Sequence, residues 1–245
     1  MKAIHLAAGA ALLSVLACSV PSTAADQLVL SDIAWKAMPG DGDREPHFRV
    51  SHKSSSSDVS IDGDRAELGA ARAALGGPAG PISFSIAHQA GTLACSGALK
   101  GAFDGSGSCR FTSDPAFETA LAKRGLAPEH RRDLLAMLLV DATIDLADGL
   151  TEAGVRPKDT DDLIAAAALE VTPAYVRDLQ SEAMALTDVE DAIACKALGV
   201  DGAYVRGLAA AGYRNLDADD VVGMKAMGVT GEYAQAINRA RGTSQ

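Results

Sequence analysis

Two consecutive segments decide the fold of this chain: residues 171–199 read VTPAYVRDLQSEAMALTDVEDAIACKALG, and residues 200–228 read VDGAYVRGLAAAGYRNLDADDVVGMKAMG. Val171, Val200 and Val229 recur with a 29-residue period. Agreement of many positions at one period is typical of a repeat array. The same spacing separates the other matched positions: Tyr175, Tyr204 and Tyr233; Leu179 and Leu208; Ile193 and Val222; Lys196 and Lys225; Leu198–Gly199 and Met227–Gly228.

The register of this array can be followed one period back. Leu150 falls in the slot of Leu179, so the array is predicted to start near Ala142. The sequence therefore predicts a helical-repeat domain over residues 142–245, whose last unit is truncated after Ala240.

Each unit has the pattern of two short helices. Thr172 is placed to cap the first helix, and Pro173 occupies its first position. The second helix begins at two acids three residues apart, such as Asp188 and Asp191, which suit the positive end of a helix. Gly199 stops it in the left-handed conformation that glycine adopts at low cost. Two short helices cannot bury their apolar faces alone, so neighbouring units are predicted to stack.

Residues 1–25 have the pattern of an export signal. Lys2 supplies positive charge, Ala3–Ala17 is almost wholly apolar, and small residues lead to a cleavage position after Ala25. The apolar stretch is shorter than the roughly 20 residues of a spanning helix. A second interpretation is a bacterial lipoprotein box that makes Cys18 the lipidated residue. The sequence thus predicts a periplasmic or secreted protein, with a lipid-anchored envelope protein as the alternative.

The charge of the chain restricts its partners. It carries 32 acidic and 22 basic residues, a formal net charge of −10. Residues 1–25 contain Lys2 and no acid, so their removal shifts the net charge from −10 to −11. An acidic chain disfavours nucleic acid and anionic membrane surfaces as partners, and no later segment has the length and apolarity of a transmembrane helix. The expected partner is a protein or another envelope component.

The part of the chain before the array is predicted to form a small antiparallel sheet domain over residues 26–117, which are rich in Gly, Ser and Asp. Glu67–Leu75 is predicted as a short helix. Residues 118–141 are predicted as the helical connection: a helix that starts at Pro115 after the cap Asp114 ends at Gly125, and Pro128 opens a longer helix that runs to Ile144. The strand-like runs are Leu28–Ile33, Phe48–Ser51, Val59–Ile61, Ile82–Ala87, Thr92–Leu99 and Ser108–Thr112.

Two cysteines of this domain form a candidate pair. Cys95 and Cys109 are flanked by alternating, glycine-rich segments typical of the two arms of one hairpin. If they face each other, a disulfide is geometrically reasonable in an oxidising compartment. The alternative, a metal pair, needs further ligands, and none lies nearby at zinc-like spacing. The sequence predicts the disulfide, and neither a metal nor a cofactor.

The repeat register offers structural interpretations for residues that suggest chemistry. Cys195 is a candidate nucleophile, but Ala166 and Met224 occupy the same slot, which favours an apolar core position. The aspartate pairs are candidate acid–base groups or calcium ligands, but their recurrence at a helix start favours capping. The tyrosines are a candidate stacking platform, but their spacing favours the core between helices.

The remaining candidates are scattered. Two Asp-Gly-Asp-Arg runs, at residues 41–44 and 62–65, have too few ligands for a calcium loop and predict turns. His47 and His52 are five residues apart on a predicted strand, so they point to opposite faces. There is no H-E-x-x-H, no G-x-S-x-G, no P-loop, and no G-x-G-x-x-G after a strand. A triad of distant residues stays open, because triads form in space.

One repeated position suggests a binding surface. Arg177 and Arg206 share a slot, and Gln235 follows in register. Stacked units would align the three into a polar ridge, a common way for repeat arrays to bind a partner. The alternative is an ordinary solvated helix face. These three are the predicted binding residues, and no catalytic residue is nominated.

The unit from Val200 to Leu216, continued from Met224 to Val229, resembles a repeat of bacterial exported proteins of unassigned function. Similar units occur as tails of some BlaR/MecR-type membrane sensor metallopeptidases. The resemblance covers about Ala142–Ala240. This chain lacks the H-E-x-x-H of the peptidase and its membrane helices, so the resemblance implies a periplasmic accessory or sensing module and no catalytic role.

The sequence as a whole predicts an α+β fold, in which a small antiparallel sheet domain precedes a solenoid-like helical-repeat domain. The expected function is that of an exported, non-catalytic binding, scaffolding or sensing accessory protein of the bacterial envelope. The alternative is an envelope hydrolase with its site in the sheet domain. That alternative requires a histidine, an acid and a nucleophile in one pocket.

Overall fold

The structure, a computed structural model, describes residues 26–41, 45–61, 65–180 and 184–242. Within these ranges the chain is a mixed α/β protein with a six-stranded antiparallel sheet and ten α-helices. The predicted combination of an antiparallel sheet with helices is confirmed at this level. The predicted export signal, with Cys18, lies outside the described residues, as does most of each Asp-Gly-Asp-Arg run.

The sheet consists of the six strands that the sequence predicts, with revised bounds. They are β1 (Val29–Met38), β2 (His47–His52), β3 (Ser55–Ser60), β4 (Gly80–His88), β5 (Gly91–Gly101) and β6 (Asp104–Ser113). The order across the sheet is β3-β2-β1-β6-β5-β4, and every neighbouring pair is antiparallel. Two three-stranded meanders are therefore joined through β1 and β6.

Three aromatic side chains show that this sheet curls. The ring centroids of Phe48 on β2 and Phe84 on β4 lie 5.6 Å apart, although three strands separate β2 from β4 in the sheet. Trp35 of β1 contacts both rings, at 6.0 and 5.5 Å. Its indole passes close to the backbone of Gly97 and Gly107, where an added Cβ would lie 2.7 and 2.6 Å from indole atoms. The sheet thus wraps its apolar face around a compact aromatic centre.

The helices lie almost entirely after the sheet. The exception is α1 (Gly69–Leu75), which follows a 3-10 turn and matches the predicted short helix. The other nine are α2 (Pro115–Lys123), α3 (Asp133–Val140), α4 (Ile144–Glu152), α5 (Thr160–Ala168), α6 (Pro173–Gln180), α7 (Val189–Ala197), α8 (Gly202–Ala210), α9 (Ala218–Ala226) and α10 (Gly231–Gly242). The pairs Met184–Ala185 and Leu216–Asp217 form a short parallel bridge between helices.

Alternate helices begin at a constant interval. α2, α4, α6, α8 and α10 start at residues 115, 144, 173, 202 and 231, so successive starts are separated by one period of the sequence repeat. The spacing reaches one unit further back than Ala142, where the sequence placed its start. The connecting segment 118–141 contains the end of α2 and the whole of α3. The helix predicted from Pro115 with Asp114 as its cap is confirmed, whereas the longer helix predicted from Pro128 to Ile144 is only α3. In this earlier unit Phe117 holds the slot of Tyr175, so the unit lacks the repeated tyrosine.

The turns between helices follow the same interval. The positions after α3, α5, α7 and α9 all have positive φ: Asp141 (62°), Glu170 (56°), Gly199 (66°) and Gly228 (73°). The left-handed stop predicted at Gly199 and Gly228 is confirmed. Two of the four positions hold this conformation without glycine, at a conformational cost that the surrounding packing must offset.

One hydrophobic core joins the sheet to the first helices. It extends from Trp35 in the sheet through Leu138 of α3 to Leu163 of α5. Two smaller clusters lie among the later helices, around Val176 and Leu208. The sheet and the helices α2–α5 therefore pack around one shared interior.

A disulfide crosses the hairpin of β5 and β6. Cys95 and Cys109 are directly opposite each other in the strand register, and their sulfur atoms are 2.03 Å apart. The predicted pair is therefore present. A disulfide of this kind is compatible with a secreted protein, because such bonds persist in oxidising compartments.

Candidate binding surface

The helical half of the protein, α2–α10, is built from contacts between alternate helices. Each first helix contacts the next first helix, from α4 through α6 and α8 to α10, and each second helix contacts the next, from α5 through α7 to α9. Neighbouring units therefore meet through equivalent elements.

The tyrosines of two successive units make the same bond. Tyr175 Oη donates to the carbonyl of Val200 at 2.8 Å, and Tyr204 Oη donates to that of Val229 at 2.7 Å. In each case the acceptor lies at the start of the next unit. Burial raises the pKa of both tyrosines above the ordinary value, so both hydroxyls remain protonated donors. We call each of these contacts a tyrosine bridge.

A lysine lies over the ring of each tyrosine bridge. Lys196 Nζ is 4.9 Å from the centroid of the Tyr175 ring, and Lys225 Nζ is 4.4 Å from that of Tyr204. A cation over an aromatic face is attracted by the ring quadrupole. The half-buried lysines are therefore held at defined positions in equivalent places of two units.

Tyr233 occupies the same slot in α10, but its surroundings differ. Its backbone N–H bonds to Thr230 Oγ1 at 3.1 Å, as that of Tyr175 bonds to Thr172 Oγ1. Its side chain is 56% exposed, and no helix follows α10 within the described residues to cover it. The sequence reasoning treated the three tyrosines alike; two are half-buried and the third faces solvent.

The repeated aspartates cap helices, as the sequence predicted. The carboxylates of Asp159, Asp188 and Asp217 accept the backbone N–H three residues further on, at 2.9, 3.1 and 2.8 Å. These bonds satisfy amides that a helix start leaves without a partner. Helix capping therefore accounts for the recurrence of these three aspartates.

Cys195 is a core residue. Its side chain is fully buried in the cluster of the last units. Burial, with a smaller contribution from Asp191, raises the pKa of its thiol to about 11. A buried thiol that stays protonated is a poor nucleophile. The predicted structural role of this cysteine is confirmed.

The three residues of the predicted polar ridge differ in exposure and in contacts. Arg177 is exposed on α6, and Gln235 is half-buried on α10. Arg206 Nη1 donates to Asp178 Oδ1 at 3.0 Å, so this arginine ties α8 to α6. The assignment of the three residues as a binding ridge remains a prediction.

A different row of residues was missed by the sequence reasoning. Leu169, Leu198 and Met227 share one repeat slot, at the ends of α5, α7 and α9, and are 36%, 43% and 75% exposed. Apolar residues at a regular spacing are also typical of buried core positions, so the sequence does not distinguish these three from the core. Contiguous exposed apolar patches mark interaction surfaces, whereas single exposed apolar side chains are ordinary. We call Leu169, Leu198 and Met227 the exposed row.

One histidine has an acidic partner. His88 Nε2 lies 2.6 Å from Asp141 Oδ1, which joins the end of β4 to the turn before α4. The other ring nitrogen, Nδ1, is buried and has no hydrogen-bond partner. A base must present a free nitrogen to its substrate, and this arrangement does not. The other histidines of the predicted strand, His47 and His52, stand at opposite ends of β2.

A cavity of about 470 Å³ lies between the sheet and the helical half. Its walls include Ser60 at the end of β3, Arg65, Asp141 and Thr172. Arg65 is fixed by Glu67 and by the carbonyl of Leu139, at 2.6 and 2.9 Å. Asp141 therefore belongs both to these walls and to the pair with His88, whereas the imidazole of His88 is not among the residues that line the cavity.

Among the residues that the structure describes, no cluster of three or more His, Cys, Asp and Glu side chains is arranged to hold a metal ion. Within the same residues, every helix is too short or too polar to cross a membrane. Comparison with known proteins found no matching family model, no similar curated protein and no similar solved structure.

Proposed function

We propose that this protein is an exported, non-catalytic binding and scaffolding protein of the bacterial envelope. In this proposal the helical half is a solenoid-like array that presents a partner surface at a constant interval. The observation that carries the proposal is the tyrosine bridge, which recurs between the same atoms in two successive units. A contact that repeats atom for atom fixes the relation between units and makes their outer surface regular.

Three further observations support the proposal. The disulfide between Cys95 and Cys109 suits an oxidising compartment. The candidate nucleophile Cys195 is buried with a raised thiol pKa. The resemblance of the repeat to tails of sensor metallopeptidases favours an accessory or sensing role.

Site-specific cross-linking in the native envelope tests the proposal. p-Benzoylphenylalanine replaces one exposed residue at a time on the helical half, at Arg177, Leu198, Arg206 or Met227. Matched controls place it at Lys100 or Arg110, which are exposed on β5 and β6. We expect one protein to be cross-linked from the helical positions and not from the controls. Cross-links restricted to the control positions, or none at all, would contradict a binding role of the helical half.

The alternative is an envelope hydrolase, and the pair of His88 and Asp141 is the observation in its favour. It predicts that the wild-type protein releases soluble fragments from isolated cell wall and that His88→Ala abolishes the release. Our proposal expects no release from either protein. Release that depends on His88 would replace the proposed function by the alternative.

A further inference from the structure

We infer that the cavity between the sheet and the helical half binds a short peptide with aliphatic side chains and two free termini. The cavity has a volume of about 470 Å³, and small-molecule sites typically measure roughly 300–1,000 Å³. The inference does not depend on the partner surface proposed above, because it concerns a second site and a second class of ligand.

The cavity lies where a tyrosine bridge is missing from the repeat. Leu146 of α4 and Ala167 of α5 both line it, and they stand one period before Tyr175 and Lys196. At the corresponding place of the next unit, the ring of Tyr175 is half-buried with Lys196 over its face. Leu146 and Ala167 have smaller side chains, so the earlier unit leaves open the space that the ring and the lysine take up in the later one.

The missing tyrosine also leaves a backbone acceptor without its usual donor. The hydroxyl of Tyr175 donates to the carbonyl of Val200, and Val171 holds the equivalent position in the earlier unit. Val171 lines the cavity, and Leu146 has no hydrogen-bond donor in its side chain. An N–H group of a ligand can donate to this carbonyl in place of the tyrosine.

Glu170 adds a negative charge next to this carbonyl. The later units have Gly199 and Gly228 at its position, yet Glu170 keeps the same left-handed conformation, with φ of 56°, at a conformational cost. Among the described residues, no ion pair includes its carboxylate, which lines the cavity. The ammonium of a peptide can therefore bond to Glu170 and donate to Val171 as well.

Arg65 supplies the opposite charge to the same cavity. Its Nε donates to Glu67 at 2.6 Å and its Nη1 to the carbonyl of Leu139 at 2.9 Å. Its Nη2 is buried and has no hydrogen-bond partner. A buried donor without an acceptor is unfavourable, and a carboxylate is the acceptor that a guanidinium binds most strongly. The carboxyl terminus of a peptide is thus suited to this residue.

The two other acids of the wall already have partners. Asp58 pairs with Arg49 at 2.8 Å, and Asp141 with His88 at 2.6 Å. Glu170 is therefore the acid that remains for a ligand. Together with the arginine, it offers one group of each sign, which matches a zwitterion and not a simple anion or cation.

The remaining wall determines the body of the ligand. It includes the apolar side chains of Val59, Leu139 and Val140. Apolar walls with a few polar groups that fix orientation are typical of small-molecule sites. A dipeptide or tripeptide of aliphatic residues combines the apolar body with an ammonium and a carboxylate.

Isothermal titration calorimetry of the mature chain tests the inference with four probes. They are the dipeptide Leu-Leu, its N-acetylated form, its C-terminal amide, and Gly-Gly. We expect Leu-Leu to bind with a Kd of about 1 mM or tighter. Each blocked form loses one charged terminus and Gly-Gly loses the apolar contacts, so each should bind about tenfold more weakly or worse.

Three variants locate the binding. Glu170→Gly introduces the residue of the later units, so thermal stability should not fall, while the preference for the free over the acetylated peptide should disappear. Arg65→Gln should remove the preference for the free acid over the amide. Leu146→Tyr with Ala167→Lys rebuilds the residues of a tyrosine bridge and should abolish binding. Glu152→Gln, an exposed acid of α4 outside the wall, is the matched control and should change the Kd less than about twofold.

The inference is overturned if no peptide binds at about 10 mM, or if a blocked form or Gly-Gly binds as tightly as Leu-Leu. Wild-type affinity in Leu146→Tyr with Ala167→Lys would place the binding outside this cavity and would also overturn it. Circular dichroism checks that the variants are folded, and if this double variant unfolds, Glu170→Gly with the acetylated peptide decides the question. Cross-links from Arg177 or Arg206 do not involve the cavity, so the proposed binding function and this inference can fail separately.

Discussion

The hydroxyl of Tyr204 donates to the carbonyl of Val229 at 2.7 Å, 25 residues further along the chain, as Tyr175 donates to Val200. This bond crosses from one unit of the helical half to the next. It ties α8 to the turn between α9 and α10.

Tyr204→Phe is expected to destabilise the helical half by about 1 kcal/mol, because it removes one hydrogen bond and leaves the Val229 carbonyl without that donor. Urea unfolding followed by circular dichroism measures the change. Tyr233→Phe is the control, since it removes the same hydroxyl from a side chain that is 56% exposed. Equal effects of the two substitutions would show that the bridge contributes nothing.

Gly107→Ala is expected to destabilise the sheet by about 3 kcal/mol. The new Cβ would lie 2.6 Å from the indole nitrogen of Trp35 and 2.6 Å from the Cα of Gly97, so the aromatic centre would have to move. Gly101→Ala, on the same hairpin, meets nothing within 4 Å and should stay within about 0.5 kcal/mol of wild type. Thermal unfolding compares the two, and a neutral Gly107→Ala would refute the close approach.

The thiol of Cys195 should resist labelling in the folded protein. Its raised pKa of about 11 leaves on the order of one thiol in a thousand ionised at pH 8, and the side chain is fully buried. Reaction with Ellman's reagent, in a chain carrying Cys18→Ser, should be slow in buffer and rapid in denaturant. Fast labelling of the folded chain would restore the candidacy of Cys195 as a nucleophile.

Glu118 is expected to make the free energy of unfolding depend on pH in the acidic range. Its carboxylate accepts bonds from Arg131 and from Ser113 Oγ, and the pair with Arg131 is the main reason that its pKa lies below the ordinary value. A carboxyl whose pKa is lowered by folding contributes stability above the unfolded value, and this contribution is lost as the pH falls through the folded value. Glu118→Gln should therefore flatten the loss of stability below about pH 4.5. Urea unfolding between pH 7 and pH 3 measures this dependence. A Glu118→Gln variant that loses stability with pH as steeply as wild type would contradict the prediction.

Much of the fold is determined by interactions between residues that are close in sequence. The six strand-like runs lie on the six strands, because alternation and turn residues act over a few positions. The helix caps at Asp188 and Asp217 were predictable for the same reason, since the acceptor is three residues from its donor. The disulfide required one further inference, that two adjacent strand-like runs form a hairpin.

The candidate site was harder to predict. Leu198 and Val200 are both apolar, and an apolar residue follows each of them one period later, yet Leu198 is 43% exposed and Val200 only 1%. Periodicity identifies equivalent positions without specifying which of them the next unit covers. The helix start at Pro115 was not assigned to the 29-residue period for a related reason, because Phe117 stands where later segments have tyrosine.

The sequence by itself determined the period, the helix caps, the strands and the cysteine pair, because each of these depends on residues that are close along the chain or repeated at one interval. The tertiary structure alone decided that the sheet curls until Phe48 meets Phe84, that His88 pairs with Asp141, and that the exposed row remains uncovered. These outcomes depend on which surfaces distant segments bury against each other, and burial is a property of the packed chain as a whole.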